Sequence, residues 1–401
     1  MTPWDAIVLV ISGLVTFRLA LLVALALIDL RRRRLHPLPT RGALPMVTVL
    51  IPAFNEEAVI AGTIRSVQAS DHPDFEIIVI DDGSSDATHP IAVAAGVTAL
   101  KQVDNLGKAA ALNAGIAAAR GDHIVTVDAD TLVAPDTLRL LCVPLLDPDT
   151  DAVASNVKVG NRLSWLNIWQ SVEYIIGLNV ARRAQAAIGC ITTIPGAACS
   201  FRPEALAAVG GFSSDTVVED TDLTLSLQAD RRTILFQPKA LAFTESPDTL
   251  VGLFRQRRRW MRGYIQCLWK HRRSFLRLDR LGLFGMPNLL FVHVLMYLLV
   301  PLSLPPLLRL LSWTSPEALA VGLLSLFGLD IVLAAGACLA DDEDLGQLLH
   351  VPLRRLVWPW FLLSVFVGVW GRGLIRGEVP WDKPPRRGLL ADSGVTGVLK
   401  G

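Results

Sequence analysis

Two carboxylates stand one residue apart in the stretch VDADT, directly after the apolar run HIVTV. Asp128 and Asp130 so spaced can bind Mg²⁺ or Mn²⁺ through oxygen, and phosphate oxygens of a substrate then complete the coordination. A solvated acidic turn after a strand would have the same composition. The spacing therefore suggests a cation site and leaves the turn as the alternative.

A second acidic stretch, VVEDTDLTLSL, places Glu219, Asp220 and Asp222 just ahead of an apolar helical run. Acids in a first helical turn suit the helix dipole whatever else they do. One of them could also serve as a general base, because the start of a helix holds a carboxylate rigidly. The two roles are compatible.

The basic segment FRQRRRWMRG crowds five arginines around Trp260. On a helix, Gln256, Arg259 and Trp260 share a face, which presents an amide, a guanidinium and a flat ring together. That face suits a phosphate beside a sugar. Arg257 and Arg258 are predicted to point elsewhere, towards lipid headgroups or solvent. A basic helix resting on an anionic membrane is the alternative for the whole segment.

The composition limits the class of protein that can carry these residues. Of the 401 residues, 52% are hydrophobic and 19% are charged, which is too apolar for a wholly soluble protein. The formal net charge of +1 argues neither for nor against nucleic acid, and we predict no nucleic-acid partner. The five cysteines are scattered and form no CxxC pair, which favours reduced thiols in a cytosolic compartment.

Apolar segments near the two ends predict a membrane frame. Residues 6–30 are long enough to span a bilayer, which takes about 20 residues, and RRRR follows them. The positive-inside rule places these arginines and the chain after them in the cytoplasm. Further apolar segments lie at about 284–311, 318–340 and 356–374. Three late spans would put the basic tail outside, so we expect one of them to be re-entrant or interfacial.

Ionisable residues inside these spans need partners, because isolated charges at that depth are costly. Arg18 lies near the middle of the first span and Asp330 near the middle of the third. We expect an ion pair between them; the alternative is that both, with His293, line a channel for a polymer. Segment 165–183 is expected to lie along the membrane surface, with a buried core helix as the alternative.

Strands alternate with helices between the membrane segments. The predicted strands are the apolar run 47–51 (ended by Pro52), the apolar part of FEIIVIDDGSSD, which ends in acidic and turn residues, and HIVTVDAD; GKAAALNAGIAAA is a predicted helix. That alternation predicts a parallel sheet covered on both faces. Sheets of this kind bind ligands at the carboxyl ends of their strands. The acidic residues at these ends are Asp81, Asp82, Asp128 and Asp130.

The acidic positions and the QRRRW segment, taken in order, resemble the D, DxD, D, QxxRW signature of processive family 2 glycosyltransferases. That group includes cellulose, chitin, hyaluronan and poly-N-acetylglucosamine synthases. The resemblance extends from about Val47 to about Tyr264 and includes IPAFNE, GKAAALNAGI and PGAACSFR. It implies an α/β GT-A (Rossmann-like) cytosolic domain within an α-helical membrane frame.

This resemblance divides the chain into five parts. They are an N-terminal transmembrane helix and basic stop (1–35), the GT-A domain (45–250), amphipathic interfacial helices with QRRRW (251–283), C-terminal transmembrane segments (284–375) and a basic tail (376–401). The enzyme would lie in the inner or plasma membrane as a multi-pass protein, with its catalytic domain in the cytoplasm.

The resemblance also implies a role for each matching residue on the donor side. The residues implied to bind the nucleotide-sugar are Ala53, Glu57, Asp82, Lys108, Asp128, Gln256 and Arg259. Asp82 would hold the uracil of a UDP-sugar, and Gln256 and Arg259 would steady the pyrophosphate. Asp128 and Asp130 would meet a diphosphate-bound Mg²⁺ or Mn²⁺.

On the acceptor side, Asp220 matches the base that takes a proton from the acceptor hydroxyl. The residues implied to bind the acceptor are Gly196, Ala197 and Trp260. Such an enzyme inverts the anomeric centre, so an α-linked UDP-sugar would yield a β-linkage. The tail RGEVPWDKPPRR is similar to the ends of poly-N-acetylglucosamine synthase-type members, which favours UDP-N-acetylglucosamine as the donor.

The resemblance thus implies a metal-dependent hexosyltransferase that extends a β-linked polysaccharide processively and exports it. Its expected partners are the UDP-sugar, a growing polysaccharide or lipid acceptor, membrane lipids and an accessory export subunit. The alternative is transfer of a single sugar to a lipid. A transporter or scaffold that only binds nucleotide would need neither Asp220 nor Trp260. A dinucleotide-binding dehydrogenase is disfavoured because no GxGxxG follows the first strand.

Overall fold

The computed structural model describes residues 3–35, 44–303, 315–370 and 388. Of the predicted basic tail, 376–401, all but Gly388 lies outside the described residues. Part of the second predicted span, residues 304–314, also lies outside them.

Eight strands form one mixed sheet. In chain order they are β1 (Val47–Ala53), β2 (Phe75–Asp81), β3 (Thr98–Lys101), β4 (His123–Val127), β5 (Thr131–Val133), β6 (Ala152–Val159), β7 (Ala198–Phe201) and β8 (Ile234–Thr244). The order across the sheet is β3-β2-β1-β4-β7-β6-β8-β5.

The predicted parallel sheet is correct only for the half that contains β1 to β4, where every neighbouring pair is parallel. Strand β7 runs antiparallel to both β4 and β6, and β5 runs antiparallel to β8, whereas β6 and β8 are parallel. The alternation of strand and helix stops at β4, because β5 begins at Thr131 with no helix between them. Helices do separate β5, β6, β7 and β8 from one another, but β7 runs against both of its neighbours, so the second half of the sheet is mixed.

Strand β1 continues through Pro52 instead of ending before it. Its pairing with β4 ends at Leu50, so beyond that residue β2 is its only hydrogen-bonded neighbour. A strand tolerates proline where one of its edges is unpaired. The continuation brings Ala53 level with Asp81 at the carboxyl end of the sheet.

The helices lie on the sheet or beside it. In chain order they are α1 (Pro3–Leu35), α2 (Ile60–Gln68), α3 (Thr88–Ala94), α4 (Lys108–Ala118), α5 (Thr137–Cys142), α6 (Trp165–Tyr174), α7 (Ala181–Ile188), α8 (Pro203–Ala208), α9 (Glu219–Ala229), α10 (Leu250–Lys270), α11 (Met286–Leu290), α12 (Met296–Leu299), α13 (Pro316–Ala340) and α14 (Val351–Trp370).

Both faces of the sheet are covered, as predicted. Side chains alternate between the two faces along a strand. Val49 and Ile51 of β1 therefore pack with α2 and α5 in one core, and Leu50 packs with α4 and α9 in the other. These two cores hold the carboxyl ends of β1, β2 and β4 at one edge.

Apolar helices adjoin this domain. Among the described residues, two helical stretches, Leu281–Leu302 and Leu345–Val369, are long and apolar enough to cross a membrane. Helix α13 contains a shorter apolar stretch, Phe327–Ala340, and α1 forms a helix over the first predicted span. The lengths of these helices agree with a membrane frame. The number and direction of the membrane crossings stay a prediction.

Segment 165–183 is a buried helix rather than an exposed surface helix. It comprises α6, a π-helical stretch (Ile175–Val180) and the start of α7. Helix α6 packs on β6, and α7 packs on α1 and β8. Trp169 and Tyr174 are only 4% and 6% exposed. Trp169 and Tyr174 instead fill the space between the sheet and the apolar helices, whereas Trp165 at the start of the segment is 51% exposed.

The predicted ion pair between Arg18 and Asp330 is wrong. Arg18 donates to Asn288 Oδ1 at 3.2 Å, and its guanidinium lies 5.3 Å from the centre of the Phe291 ring. Asp330 pairs with Arg355 Nε at 3.1 Å. Helix α13 packs directly against α14, which carries Arg355, so Asp330 finds its cation there.

Candidate active site

The carboxyl ends of β1 and β2 hold a buried carboxylate. Asp82 follows β2 and accepts hydrogen bonds from the backbone N–H groups of Leu106 (2.9 Å) and Gly107 (2.8 Å). Burial raises the pKa of Asp82, although these two bonds act in the opposite direction. Asp82 N–H donates to the carbonyl oxygen of buried Ala53. Asp82 thereby fixes the loop that leads into α4.

Glu57 connects two loops on the same side of the sheet. Its Oε2 accepts from Ala87 N–H at 3.0 Å, and its own N–H donates to Asp86 Oδ2 at 3.1 Å. Ala87 immediately precedes α3, so Glu57 satisfies one of the free N–H groups at that helix start. The side chain is exposed and holds the loop after β1 against the loop after β2.

Lys108 begins α4 and lies between two acids. Its Nζ is 2.6 Å from Asp128 Oδ1 and 2.8 Å from Glu219 Oε1. Burial by itself lowers the pKa of Lys108, but the charges of Asp128, Glu219 and Asp220 outweigh it and raise the pKa well above its ordinary value. Lys108 is therefore a fixed positive charge beside β4.

Asp220 is the acid of the second acidic stretch that suits a general base. Its two oxygens accept from the N–H groups of Thr221 (2.7 Å) and Gly196 (3.2 Å). Burial and the charge of Glu219 raise the pKa of Asp220 to about 6, against the lowering effect of Lys108. A base with a pKa near the working pH is well matched to proton transfer.

Asp222 has a different environment. It is fully buried, and its carboxylate pairs with Lys270 Nζ at 2.7 Å and with His271 Nε2 at 2.6 Å. These contacts tie the first turn of α9 to the end of α10. Asp222 therefore has a structural role, because its carboxylate links two helices.

Gly196 allows the loop before β7 to approach these charges closely. A Cβ atom there would stand 2.6 Å from Lys108 Nζ and 3.5 Å from Asp128 Oδ2. The next residue, Ala197, is buried, and its carbonyl accepts from Asp128 N–H at 3.1 Å. The sequence-predicted acceptor loop therefore lies directly beside the predicted metal and base residues.

A cavity of about 570 Å³, called here the active-site cavity, brings most of the predicted residues together. The predicted residues in its wall are Lys108, Asp128, Asp130, Gly196, Ala197, Asp220, Gln256, Arg259 and Trp260. Ala53, Glu57 and Asp82 do not line it and belong to the loops beside it. The cavity continues between the apolar helices, where Arg18, His293 and Asp330 line it, in agreement with the channel alternative.

More residues of the QRRRW segment line the active-site cavity than the sequence predicted. Gln256, Arg259 and Trp260 line the cavity, and so does Arg257, which was expected to face lipid or solvent. Arg257 is 7% exposed and donates to Glu173 Oε2 at 2.7 Å. Residues three apart on a helix are neighbours, so Arg257 lies beside Trp260. The three-residue spacing between Arg257 and Trp260 could have indicated that Arg257 lies in the cavity wall. Nothing in the sequence indicated that Glu173 would be its partner.

Arg258 and Arg259 differ from Arg257 in their contacts. Neither side chain makes a hydrogen bond or an ion pair with any residue that the structure describes. Arg259 lines the active-site cavity, and Arg258 does not. A guanidinium in a cavity wall without a carboxylate partner is well suited to bind an anionic ligand. The membrane contact of Arg258 stays a prediction.

The two carboxylates of the DxD pair fit a divalent cation that arrives with its substrate. Asp128 and Asp130 line the same cavity. Among the described residues, no group of three or more His, Cys, Asp or Glu side chains could hold a metal ion by itself. Mg²⁺ and Mn²⁺ commonly combine one or two protein carboxylates with phosphate oxygens. This donor set therefore suits an ion bound jointly with a diphosphate.

Comparison with known proteins defines the class. Residues 45–263 match the family described as "Glycosyltransferase like family 2". The matched range covers more than half of the chain and includes β1 to β8, both acidic stretches and the QRRRW segment. The chain therefore belongs to this family and is a glycosyltransferase.

The poly-β-1,6-N-acetyl-D-glucosamine synthases of Staphylococcus epidermidis and Staphylococcus aureus (strain COL) are similar to this chain. Each is 32% identical over 243 residues, which cover 59% of this chain and 59% of the relative. The match thus spans less than two thirds of these relatives. A mannosyltransferase from Pyrobaculum calidifontis, solved with GDP-Man and Mn²⁺, has a TM-score of 0.61 at 23% identity, covering 88% of this chain and 99% of that one. This likeness shows the GT-A-like α/β fold.

Proposed function

We propose that the chain is a membrane-embedded, inverting hexosyltransferase that extends a β-linked polysaccharide processively from a UDP-sugar. UDP-N-acetylglucosamine is the favoured donor, because the similar staphylococcal enzymes are named for a polymer of that sugar. The observation that carries the proposal is the active-site cavity. Asp128, Asp130 and Asp220 line this cavity together with Gln256, Arg259 and Trp260.

The cavity suggests how the residues divide the work of donor binding. Arg259, which has no partner among the described side chains, would bind the pyrophosphate together with Gln256. Lys108 would add a fixed positive charge where the leaving diphosphate becomes more negative. Asp82 would hold the loop that adjoins the uracil, with Ala53 and Glu57 supporting the same pocket.

The transfer step needs a base, an acceptor and a leaving group in line. Asp220 would take the proton from an acceptor hydroxyl. The acceptor oxygen then uses its electron pair to form a bond to the anomeric carbon. At the same time the bond from that carbon to the diphosphate oxygen breaks, and its electron pair leaves with UDP. Trp260 would stack on the acceptor sugar, and the loop at Gly196 and Ala197 would border it.

A divalent cation would be held by Asp128 and Asp130. When bound, Mg²⁺ or Mn²⁺ neutralises charge on the diphosphate and thereby makes it a better leaving group. The mannosyltransferase from Pyrobaculum calidifontis was solved with Mn²⁺. Removal of divalent cations with EDTA should abolish transfer, and Mn²⁺ or Mg²⁺ should restore it.

The continuation of the cavity between the apolar helices supports polymer export. We propose a multi-pass protein of the inner or plasma membrane whose catalytic domain faces the cytoplasm, with lipids and an accessory export subunit as partners. The polymer would pass between the helices that carry Arg18, His293 and Asp330, since these side chains line the cavity.

Transfer of one sugar to a lipid is the second candidate. It is favoured by the apolar part of the cavity wall, where Leu19, Leu22 and Leu289 lie. Such a wall suits a lipid tail as well as a sugar chain. The size of the product distinguishes the two activities.

The test is an incubation of the purified chain, reconstituted in a membrane, with labelled UDP-N-acetylglucosamine and, separately, UDP-glucose in the presence of Mn²⁺. An Asp220→Asn variant is the control. We expect long polymer from one donor, and none from the variant. Near-normal turnover by Asp220→Asn would contradict the assignment of the base, and a product of one sugar on lipid would favour the second candidate.

A further inference from the structure

Arg257 lies at the centre of a group of side chains that donor binding and proton transfer do not use. The carbon of its guanidinium is 4.4 Å from the centre of the Trp260 ring and 5.9 Å from that of the Trp358 ring. Its Nη2 donates to Glu173 Oε2 at 2.7 Å. All four side chains line the active-site cavity.

These contacts come from three separate helices. Glu173 belongs to α6, Arg257 and Trp260 belong to α10, and Trp358 belongs to α14. A buried guanidinium is costly unless an opposite charge and further contacts compensate it. Glu173 supplies the charge, and the tryptophan rings supply cation–π contacts. Because the guanidinium is planar, these contacts restrict its orientation and, with it, that of the ring it covers.

We propose that Glu173 and Arg257 are positioning residues that hold the Trp260 ring in the orientation in which it binds the acceptor sugar. This inference rests on the proposed function, since it takes Trp260 as the acceptor platform. Neither residue would touch the reacting atoms. Their loss would loosen the acceptor and leave the donor site, built around Lys108 and Asp128, in place.

A purely structural role predicts something different. If Arg257 only anchors α10 to its neighbours, its removal would weaken folding and would affect donor and acceptor alike. A positioning role predicts a selective effect on the acceptor. The growing chain would dissociate more often between additions, so the products would be shorter while UDP release continued.

The helix itself offers a matched control. Arg258 is the next residue, has the same charge, lies outside the cavity wall and makes no hydrogen bond or ion pair with the described residues. Arg258→Gln should therefore behave like the wild type. Arg257→Lys is the conservative variant, because it keeps a positive charge for Glu173 but lacks the flat guanidinium that covers Trp260.

The experiment compares Arg257→Gln, Glu173→Gln, Arg257→Lys and Arg258→Gln in the reconstituted full chain. UDP release, product length and the KM values for donor and acceptor are measured. Loss of the pair should raise the acceptor KM about tenfold and shorten the product, with the donor KM unchanged. Arg257→Lys should lie between the wild type and Arg257→Gln.

A second measurement needs no turnover. Calorimetry of a β-1,6-linked N-acetylglucosamine oligomer should show about tenfold weaker binding to Arg257→Gln and Glu173→Gln than to Arg258→Gln. Equal binding by all variants, or a parallel loss of UDP binding and thermal stability, would overturn the inference. If the wild type binds the oligomer but transfers no sugar, the proposed function is wrong. The binding comparison between the variants would still test the role of Arg257.

Discussion

At the scale of single residues, adjacent acids in one helical turn acquire different properties from their surroundings. Glu219 pairs with Lys108, Asp222 pairs with Lys270 and His271, and Asp220 accepts only backbone hydrogen bonds. A carboxylate that is buried without a direct cation partner resists ionisation more than one that has such a partner. This environment supports the proposal that Asp220, rather than Glu219 or Asp222, is the base.

This environment predicts the pH dependence of transfer. Burial and the charge of Glu219 raise the pKa of Asp220 to about 6. A base works only when it is deprotonated, so kcat/KM should fall as the pH drops through about 6 and should level off above it. Initial rates between pH 5 and about 8 would measure this limb. A rate that stays constant down to pH 5 would contradict the assignment.

A second prediction concerns Gly196. In Gly196→Ala, the new methyl group would meet Lys108 Nζ at 2.6 Å and would displace it from Asp128. Because the end of a lysine side chain can move, the protein should remain folded, while transfer should fall about tenfold or more through the lost charge at the diphosphate. Initial rates and thermal unfolding would be measured together.

Gly62→Ala in α2 serves as the control for that substitution. A methyl group there would make only an ordinary contact, at 3.6 Å from Leu132 Cδ2. Its activity should match the wild type. Equal activities of Gly196→Ala and Gly62→Ala would show that the close approach at Gly196 has no part in the reaction.

At the scale of elements, α10 does more than carry the QRRRW face. The second half of α10 also contacts the segment that contains Asp220, the proposed base. Gln266 Oε1 accepts from Val217 N–H at 3.1 Å, and Lys270 and His271 pair with Asp222. One helix therefore places both the proposed phosphate-binding residues and the segment around Asp220.

Gly263 lets α10 approach Val218, just before the proposed base, very closely. A substitution at Gly263 tests this close approach. In Gly263→Ala, the methyl group would lie 2.5 Å from the Val218 side chain, so α10 must shift relative to the base. Overpacking of this kind costs about 1–3 kcal/mol, although alanine otherwise favours a helix by about 1 kcal/mol over glycine. We expect lower stability and lower kcat, measured by thermal unfolding and initial rates.

The double variant Gly263→Ala with Val218→Ala tests the cause. It removes the side chain that the new methyl group would meet, so it should recover part of both losses. A Gly263→Ala protein that is more stable than the wild type and equally active would show that α10 has room to move there.

At the scale of the whole molecule, a buried ion cluster joins the glycosyltransferase domain to the apolar helices. Its members are Asp29, Lys158, Arg162, Arg183, Asp341 and Glu343. Asp29 lies on α1, Lys158 on β6, and Asp341 follows α13. The cluster therefore connects parts of the chain that are far apart in sequence.

This cluster should contribute strongly to stability. Asp341→Asn removes the carboxylate that Lys158 and Arg183 share, while Lys158 keeps Glu343 and Arg183 keeps Asp29. Because each buried cation keeps one carboxylate, the loss should be smaller than the cost of about 3–5 kcal/mol for a fully broken buried pair, and thermal unfolding of the detergent-solubilised protein would detect it. Asp230→Asn, which breaks a partly exposed pair with Arg232, should cost less than about 1 kcal/mol. Equal effects of the two variants would exclude a special role for the cluster.

Sequence patterns predicted the parallel half of the sheet, because each strand and helix there has its own local periodicity. They also placed the acidic residues at strand ends, and the active-site cavity collects Asp128, Asp130 and Asp220 with the QRRRW face. The patterns failed for β5 to β8, where no helix separates β4 from β5. They failed again for segment 165–183, where Trp169 and Tyr174 are buried by elements distant in sequence.

From the sequence alone we could predict the family, the order of the acidic positions and the residues able to form one helical face. These depend on residue type and on spacings of a few residues. The folded structure was needed to show that Arg257 lines the cavity, that Glu173 is its partner 84 residues away, and that Asp330 pairs with Arg355 rather than Arg18. Such pairs depend on how whole helices pack, and local spacing carries no information about that packing.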